Sequence, residues 1–214
     1  KADYYLYCIE AKDPVTGWRV PLAPSWIIGQ KTRTIARLIP DSITKSFRIE
    51  IVQNASPEEF EAAQQEYTWD NGIRCPVDKK GDRILPEMRT VTSIDALRGR
   101  EGLRRWENED LVPRSDDALQ ERLYCIRWLD PETGEKCYRA PTPADLEREA
   151  EVLRLLKERF QDWQAKGFIP CRKIEIGAKT DEPIRTRGWS HWHHLYNPRQ
   201  LLMIGLFQEL IDSV

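Results

Sequence analysis

Leu6-Tyr7-Cys8-Ile9, followed by Asp13-Pro14-Val15-Thr16-Gly17, is written a second time as Leu123-Tyr124-Cys125-Ile126 followed by Asp130-Pro131-Glu132-Thr133-Gly134. Each apolar-aromatic run reads as a strand. Each Asp-Pro-x-Thr-Gly reads as its turn: Asp opens it, Pro sets φ, and Gly takes the corner that requires positive φ. The return strands are expected at residues 18–21 and 136–140. Two copies indicate a duplicated or converged hairpin, not a solenoid. Visible alternation adds strands at residues 34–39 and 47–52.

Three helices open with one grammar. Ser56-Pro57-Glu58-Glu59 is a capping box with Pro at the first helical position, leading a short helix to about Glu66. Thr142-Pro143-Ala144-Asp145 opens the longest helix, whose stripe of Leu146, Ala150, Leu153, Leu156, Phe160 and Trp163 steps by threes and fours until Gly167 stops it. Asn197-Pro198-Arg199-Gln200 opens the last, apolar nearly all round through Leu201, Leu202, Ile204, Leu206, Leu210 and Ile211. A helix that apolar needs cover from other protein.

These elements predict an α+β fold of antiparallel hairpins and small sheets, with one long amphipathic helix and a C-terminal apolar helix. Residues 1–114 are expected to form a β-rich part with a short helix and a charged connector, in which acids and bases interleave from Cys75 to Arg114. Residues 115–214 are expected to hold the second hairpin, the long helix, an Arg/Trp/His segment and the terminal helix. Lys1 without an initiator Met, and Val214 within an apolar pattern, read as ends of a piece from a longer polypeptide.

Of 214 residues, 40% are hydrophobic and 32% charged, a globular composition. No apolar run approaches the ~18 residues of a membrane span, and no signal peptide is visible. Five cysteines at irregular spacing argue against a secreted disulfide framework and point to a reducing, cytoplasmic setting. The net charge of −2 supplies no global field to attract DNA, so nucleic-acid contact must rest on a local patch. Between Gly167 and Gln200, six bases (Arg172, Lys173, Lys179, Arg185, Arg187, Arg199) face three acids (Glu175, Asp181, Glu182), leaving a mild excess.

That patch contains all three histidines, His191, His193 and His194, together with Trp189 and Trp192. In an extended segment, His191 and His193 would share a face with Trp189, and Trp192 and His194 would take the other. Three readings compete: a metal pair, a packed aromatic-imidazole cluster, and a nucleic-acid contact with Trp or His as stacking planes and Arg185, Arg187 and Arg199 on phosphates. No Cys, Asp or Glu lies within eight residues to complete a zinc set. Cys8 and Cys75 each resemble half of a Cys-x-x-Cys knuckle, with Ala11 and Asp78 at the second positions. Cys8, Cys125 and Cys137 also read simply as small buried strand residues. No Gly-rich loop follows a strand, so no nucleotide or S-adenosylmethionine cradle is visible.

Gly17-Trp18-Arg19-Val20-Pro21-Leu22, Cys75-Pro76, Tyr138-Arg139-Ala140-Pro141-Thr142 and Leu195-Tyr196-Asn197-Pro198-Arg199-Gln200-Leu201-Leu202 together span nearly the whole chain. In this order they resemble the central, zinc-ribbon-like region of large prokaryotic adenine-specific DNA methylases, some found among phage-defence genes. The resemblance implies a zinc-ribbon-like fold. Relatives keep paired Cys-x-x-Cys knuckles where this chain has Ala11 and Asp78, so the expectation here is a degenerate ribbon held by hydrophobic packing without bound zinc. The resemblance also implies a cofactor loop for S-adenosylmethionine upstream and an Asp-Pro-Pro-Tyr catalytic loop downstream, both in the remainder of the methylase chain. Asn197-Pro198 is not that loop, because Arg199 and Gln200 stand where a second Pro and an aromatic would be needed; a helix cap accounts for it. The expected role is a non-catalytic DNA-positioning domain, inactive alone and carrying no cofactor of its own. Its expected contacts are Arg185, Arg187, Trp189, His191, Trp192, His193 and Arg199, and its partners are DNA and the rest of the methylase. The alternative is a scaffold that docks the acidic long helix and the apolar last helix onto the methylase core or a partner subunit.

Overall fold

The computed structural model describes residues 1–93, 97 and 103–213; the rest of the expected connector, and Val214, lie outside the described residues. The chain is α+β, with antiparallel sheets and four helices among the described residues. No helix among them is long and apolar enough to cross a membrane. It forms two compact units: residues 1–100 with 118–141, and residues 101–117 with 142–214.

The duplicated hairpins build the first unit. Strands β1 (Ala2–Lys12), β2 (Arg19–Leu22), β8 (Leu119–Leu129) and β9 (Lys136–Arg139) make one sheet in the order β2-β1-β8-β9. The two copies of the long strand therefore lie side by side and antiparallel at its centre. Both turns close alike. Gly17 N–H donates to the Asp13 carbonyl at 2.7 Å, and Gly134 N–H to that of Asp130 at 3.0 Å. Both glycines sit at positive φ, +80° and +71°, as the turn reading requires. The pairing steps from Leu6↔Cys125 to Tyr7↔Leu123, so Tyr124 is an extra residue that breaks the internal two-fold relation.

The remaining strands of this unit form two smaller sheets. β3 (Ile27–Gly29), β4 (Thr34–Asp41) and β5 (Ser46–Val52) form a second sheet, and β6 (Ile73–Arg74) pairs with β7 (Val91–Thr92). Helix α1 (Pro57–Gln65) packs Ala63 and Phe60 against Ile35, Val52 and Ala55. Its cap is reciprocal: Glu59 N–H donates to Ser56 Oγ at 3.2 Å, and Ser56 N–H to Glu59 Oε2 at 2.9 Å. Arg122 on β8 donates to Glu10 Oε1 at 2.9 Å and to the Phe47 carbonyl at 2.8 Å, tying the first sheet to the second.

Three helices carry the second unit: α2 (Pro143–Lys166), α3 (Asp181–Arg187) and α4 (Pro198–Asp212). Leu156, Phe160 and Trp163 of α2 meet Leu201 and Leu202 of α4, with Ile169 and Leu111 completing the core. Thr142 and Asn197 cap α2 and α4 through capping boxes with Asp145 and Gln200, so Asn197-Pro198 is a helix start. Helix α3 was not expected; at seven residues it carries too little periodicity to be read.

These units differ from a division at residue 114. Hairpin 119–139 belongs to the sheet of the first unit, and residues 103–117 belong with the helices of the second. The pairing of β1 with β8 joins residues more than a hundred positions apart, and local periodicity carries no information about such a contact.

Candidate nucleic-acid interface

The path into the histidine segment is set by Gly188, which ends α3 at φ +77°. A Cβ there would overlap the Arg104 carbonyl, so backbone approaches backbone as only glycine permits. Gly188 then accepts from Trp106 N–H at 2.8 Å. Residues 190–192 pair with residues 172–174: Ile174 N–H donates to the Ser190 carbonyl at 2.9 Å, and Trp192 N–H to the Arg172 carbonyl at 3.1 Å. Trp192–Leu195 is a single 3-10 turn. The extended alternation is thereby replaced: His191, His193 and His194 all turn inward, and Trp192 alone of these four stays exposed.

The three imidazoles are locked. His193 Nε2 lies 3.0 Å from the Asn108 carbonyl, and His194 Nε2 lies 3.1 Å from that of Glu107. A carbonyl only accepts, so both nitrogens carry the proton. His194 Nδ1 in turn accepts from Ser190 N–H at 3.1 Å and His191 N–H at 3.3 Å. His191 Nδ1 lies 2.8 Å from Ser190 Oγ, whose own hydrogen goes to the Trp106 carbonyl, so Nδ1 is the donor in that pair. Ring centroids of His193 and His194 are 4.2 Å apart, and Phe160 and Trp106 meet the cluster edge-on at 5.1 and 5.2 Å.

Burial penalises the charged form of every ring. His193 is pushed down to about 4 and His194 to about 3, burial first and neighbouring imidazoles second. His191 is lowered as well, by burial and then by the charge of Lys173. The cluster is neutral near pH 7 and serves as a polar core.

The expected contact residues divide accordingly. His191 and His193 are buried, 7% and 0% exposed, and lie in the core rather than on a surface that a base or phosphate could reach. Arg199 pairs with Glu149, joining α4 to α2. Arg187 places its guanidinium 6.0 Å from the Trp189 ring centroid, and both are half-buried. Arg185 is exposed, 3.7 Å from Asp181, and Trp192 is 38% exposed. Arg185, Arg187, Trp189 and Trp192 thus retain an accessible side, as does Arg199 beside its ion pair with Glu149.

Sequence reading passed over a depression of about 650 Å³ beside Trp192, walled by Arg172, Lys173, Glu175, Ile176, Gly177 and Thr180. Its walls meet only in the fold, because the segment holding Trp192 lies sixteen or more residues downstream of residues 172–174, with which it pairs.

At the knuckle positions Ala11 offers no ligand. Cys8 lies in β1, where burial and the nearby Glu10 push its thiol up to about 12. Asp78 spends its carboxylate on its own loop, accepting from the N–H groups of Lys80, Gly81 and Asp82 at 2.8–2.9 Å. Among the described residues, no group of three or more His, Cys, Asp or Glu is placed to hold a metal ion. Comparison with protein-family models, curated proteins and solved structures found no match to this chain.

Proposed function

We propose that this chain is a non-catalytic domain of a cytoplasmic, S-adenosylmethionine-dependent adenine-specific DNA methyltransferase, a degenerate zinc-ribbon-like insertion that positions duplex DNA. The observation that carries the reading is the division of labour in residues 185–194. Three imidazoles are spent on holding the turn rigid, while Arg185, Arg187, Trp189 and Trp192 keep planar and cationic groups at the surface. Indole planes beside guanidinium groups suit phosphate contact and stacking. The methyl donor and the reactive loop belong, on this reading, to the remainder of the methylase chain. No zinc is assigned, since Ala11 and Asp78 stand where a four-thiolate site needs cysteines.

The test is a gel shift of the 214-residue chain on duplex DNA across a salt series, comparing Arg185→Ala plus Arg187→Ala with the parent. The variant should bind more weakly, and its log K against log salt should be shallower by roughly 0.9 for each phosphate that is no longer neutralised. Unchanged affinity together with an unchanged slope removes the assignment.

One observation favours the second reading, a scaffold or protein-interaction module. Met203, Leu206, Phe207, Leu210 and Ile211 recur on α4 at helical spacing and are 47–67% exposed. Failure of the parent chain to shift duplex DNA at low salt would favour this reading over the first.

A further inference from the structure

We propose that the depression between residues 172–180 and Trp192 is a subsite for one unstacked nucleoside phosphate. The inference rests on the nucleic-acid reading above and extends it from duplex contact to a single nucleotide. Its volume, about 650 Å³, falls within the range of small-ligand sites.

The walls supply each group that such a ligand needs. Trp192 offers an exposed indole whose backbone N–H donates to the Arg172 carbonyl, beside the antiparallel bridge of Lys173 with His191. Ile176, 81% exposed, offers an apolar contact in the same depression. Arg172 and Lys173 are exposed, and neither forms an ion pair with a described residue, whereas Arg104, Arg114, Arg154 and Arg199 in the same unit are all paired with carboxylates. Two uncommitted cations beside an aromatic face match a phosphate joined to a planar base. Glu175 also lines the depression. It can only accept hydrogen bonds when ionised, so it repels the phosphate and suits an exocyclic amino group, orienting the ligand with its base away from the cations.

A nucleoside phosphate has two sources, a nucleotide within single-stranded DNA and a free nucleotide. The experiment measures fluorescence anisotropy of a labelled twelve-residue oligo(dA) titrated with the 214-residue chain, with AMP as competitor. The variants are Trp192→Ala, Trp192→Phe, and Arg172→Ala plus Lys173→Ala, with folding checked by circular dichroism. The parent should bind, and Trp192→Ala should weaken binding by roughly five- to a hundredfold, the range for loss of one stacked base. Trp192→Phe should restore most of it, and the double variant should lower both affinity and salt slope. Displacement by millimolar AMP identifies the free nucleotide as sufficient; binding that resists AMP identifies the strand as the source. No binding by the parent, or parental affinity in both Trp192→Ala and the double variant, overturns the proposal. The duplex shift separates this outcome from the previous reading: duplex affinity that depends on Arg185 and Arg187, with oligo(dA) bound at parental affinity by both Trp192→Ala and the double variant, removes the subsite and leaves the duplex contact.

Discussion

His193 and His194 sit in environments far from those of ordinary imidazoles. Each is nearly or fully buried, and each donates from Nε2 to a carbonyl in residues 107–108. Their values fall from the ordinary 6.5 to about 4 and about 3, so below pH 6.5 the unfolded chain takes up protons that the folded chain refuses. Stability is therefore fully present above pH 6.5 and declines as pH falls toward about 4, by ~1.4 kcal/mol per pH unit for each histidine that titrates this way. Urea midpoints measured at pH 7 and pH 5 should show the loss. His193→Gln plus His194→Gln should lower stability at pH 7, because two buried bonds go, yet flatten the dependence on pH. A parent protein equally stable at both values would refute the neutral cluster.

At the level of elements, caps and turns follow sequence grammar closely. Ser56, Thr142 and Asn197 each begin the helix expected of them, and Gly167 ends α2 at φ +75°. These features depend on neighbours within four positions, which a linear reading contains. Helix packing depends on distant partners. Gly205 of α4 lies against the Trp163 indole so closely that an added Cβ would overlap the ring. In an isolated helix Gly→Ala should stabilise by ~1 kcal/mol, but overpacking a filled core costs ~1–3 kcal/mol. Gly205→Ala should therefore destabilise, and thermal or urea unfolding will report the sign. A more stable variant would mean that α4 does not seat on Trp163 in this way.

Across the whole molecule the chain crosses between its two units three times, and each unit is assembled from separated segments. The helical unit draws Leu111 into its core from residues 103–117. The same segment supplies Trp106 against His194 and the two carbonyls that receive His193 and His194. It also carries an ion-pair network in which Arg104 binds Asp110 and Asp117, and Arg114 binds Asp110 and Glu107. A fragment of residues 142–213 alone should therefore remain poorly ordered despite containing all three helices of this unit. Adding residues 103–117 as a separate peptide should restore a dispersed amide spectrum. A well-dispersed spectrum from 142–213 without the peptide would show that the segment is dispensable.

Residues 6–17 and 123–134 determined the hairpins, the alternation at 34–39 and 47–52 determined two further strands, and Pro-led capping boxes determined three helices, because turn chemistry and periodicity are local properties of a chain. Only the tertiary structure decided that the two hairpins share one sheet, that residues 103–117 complete the helical core, and that the histidines point inward while Arg172 and Lys173 come to flank Trp192. Those outcomes turn on which distant surfaces exclude water together and which buried donors find carbonyls, and no window of neighbouring residues contains both partners.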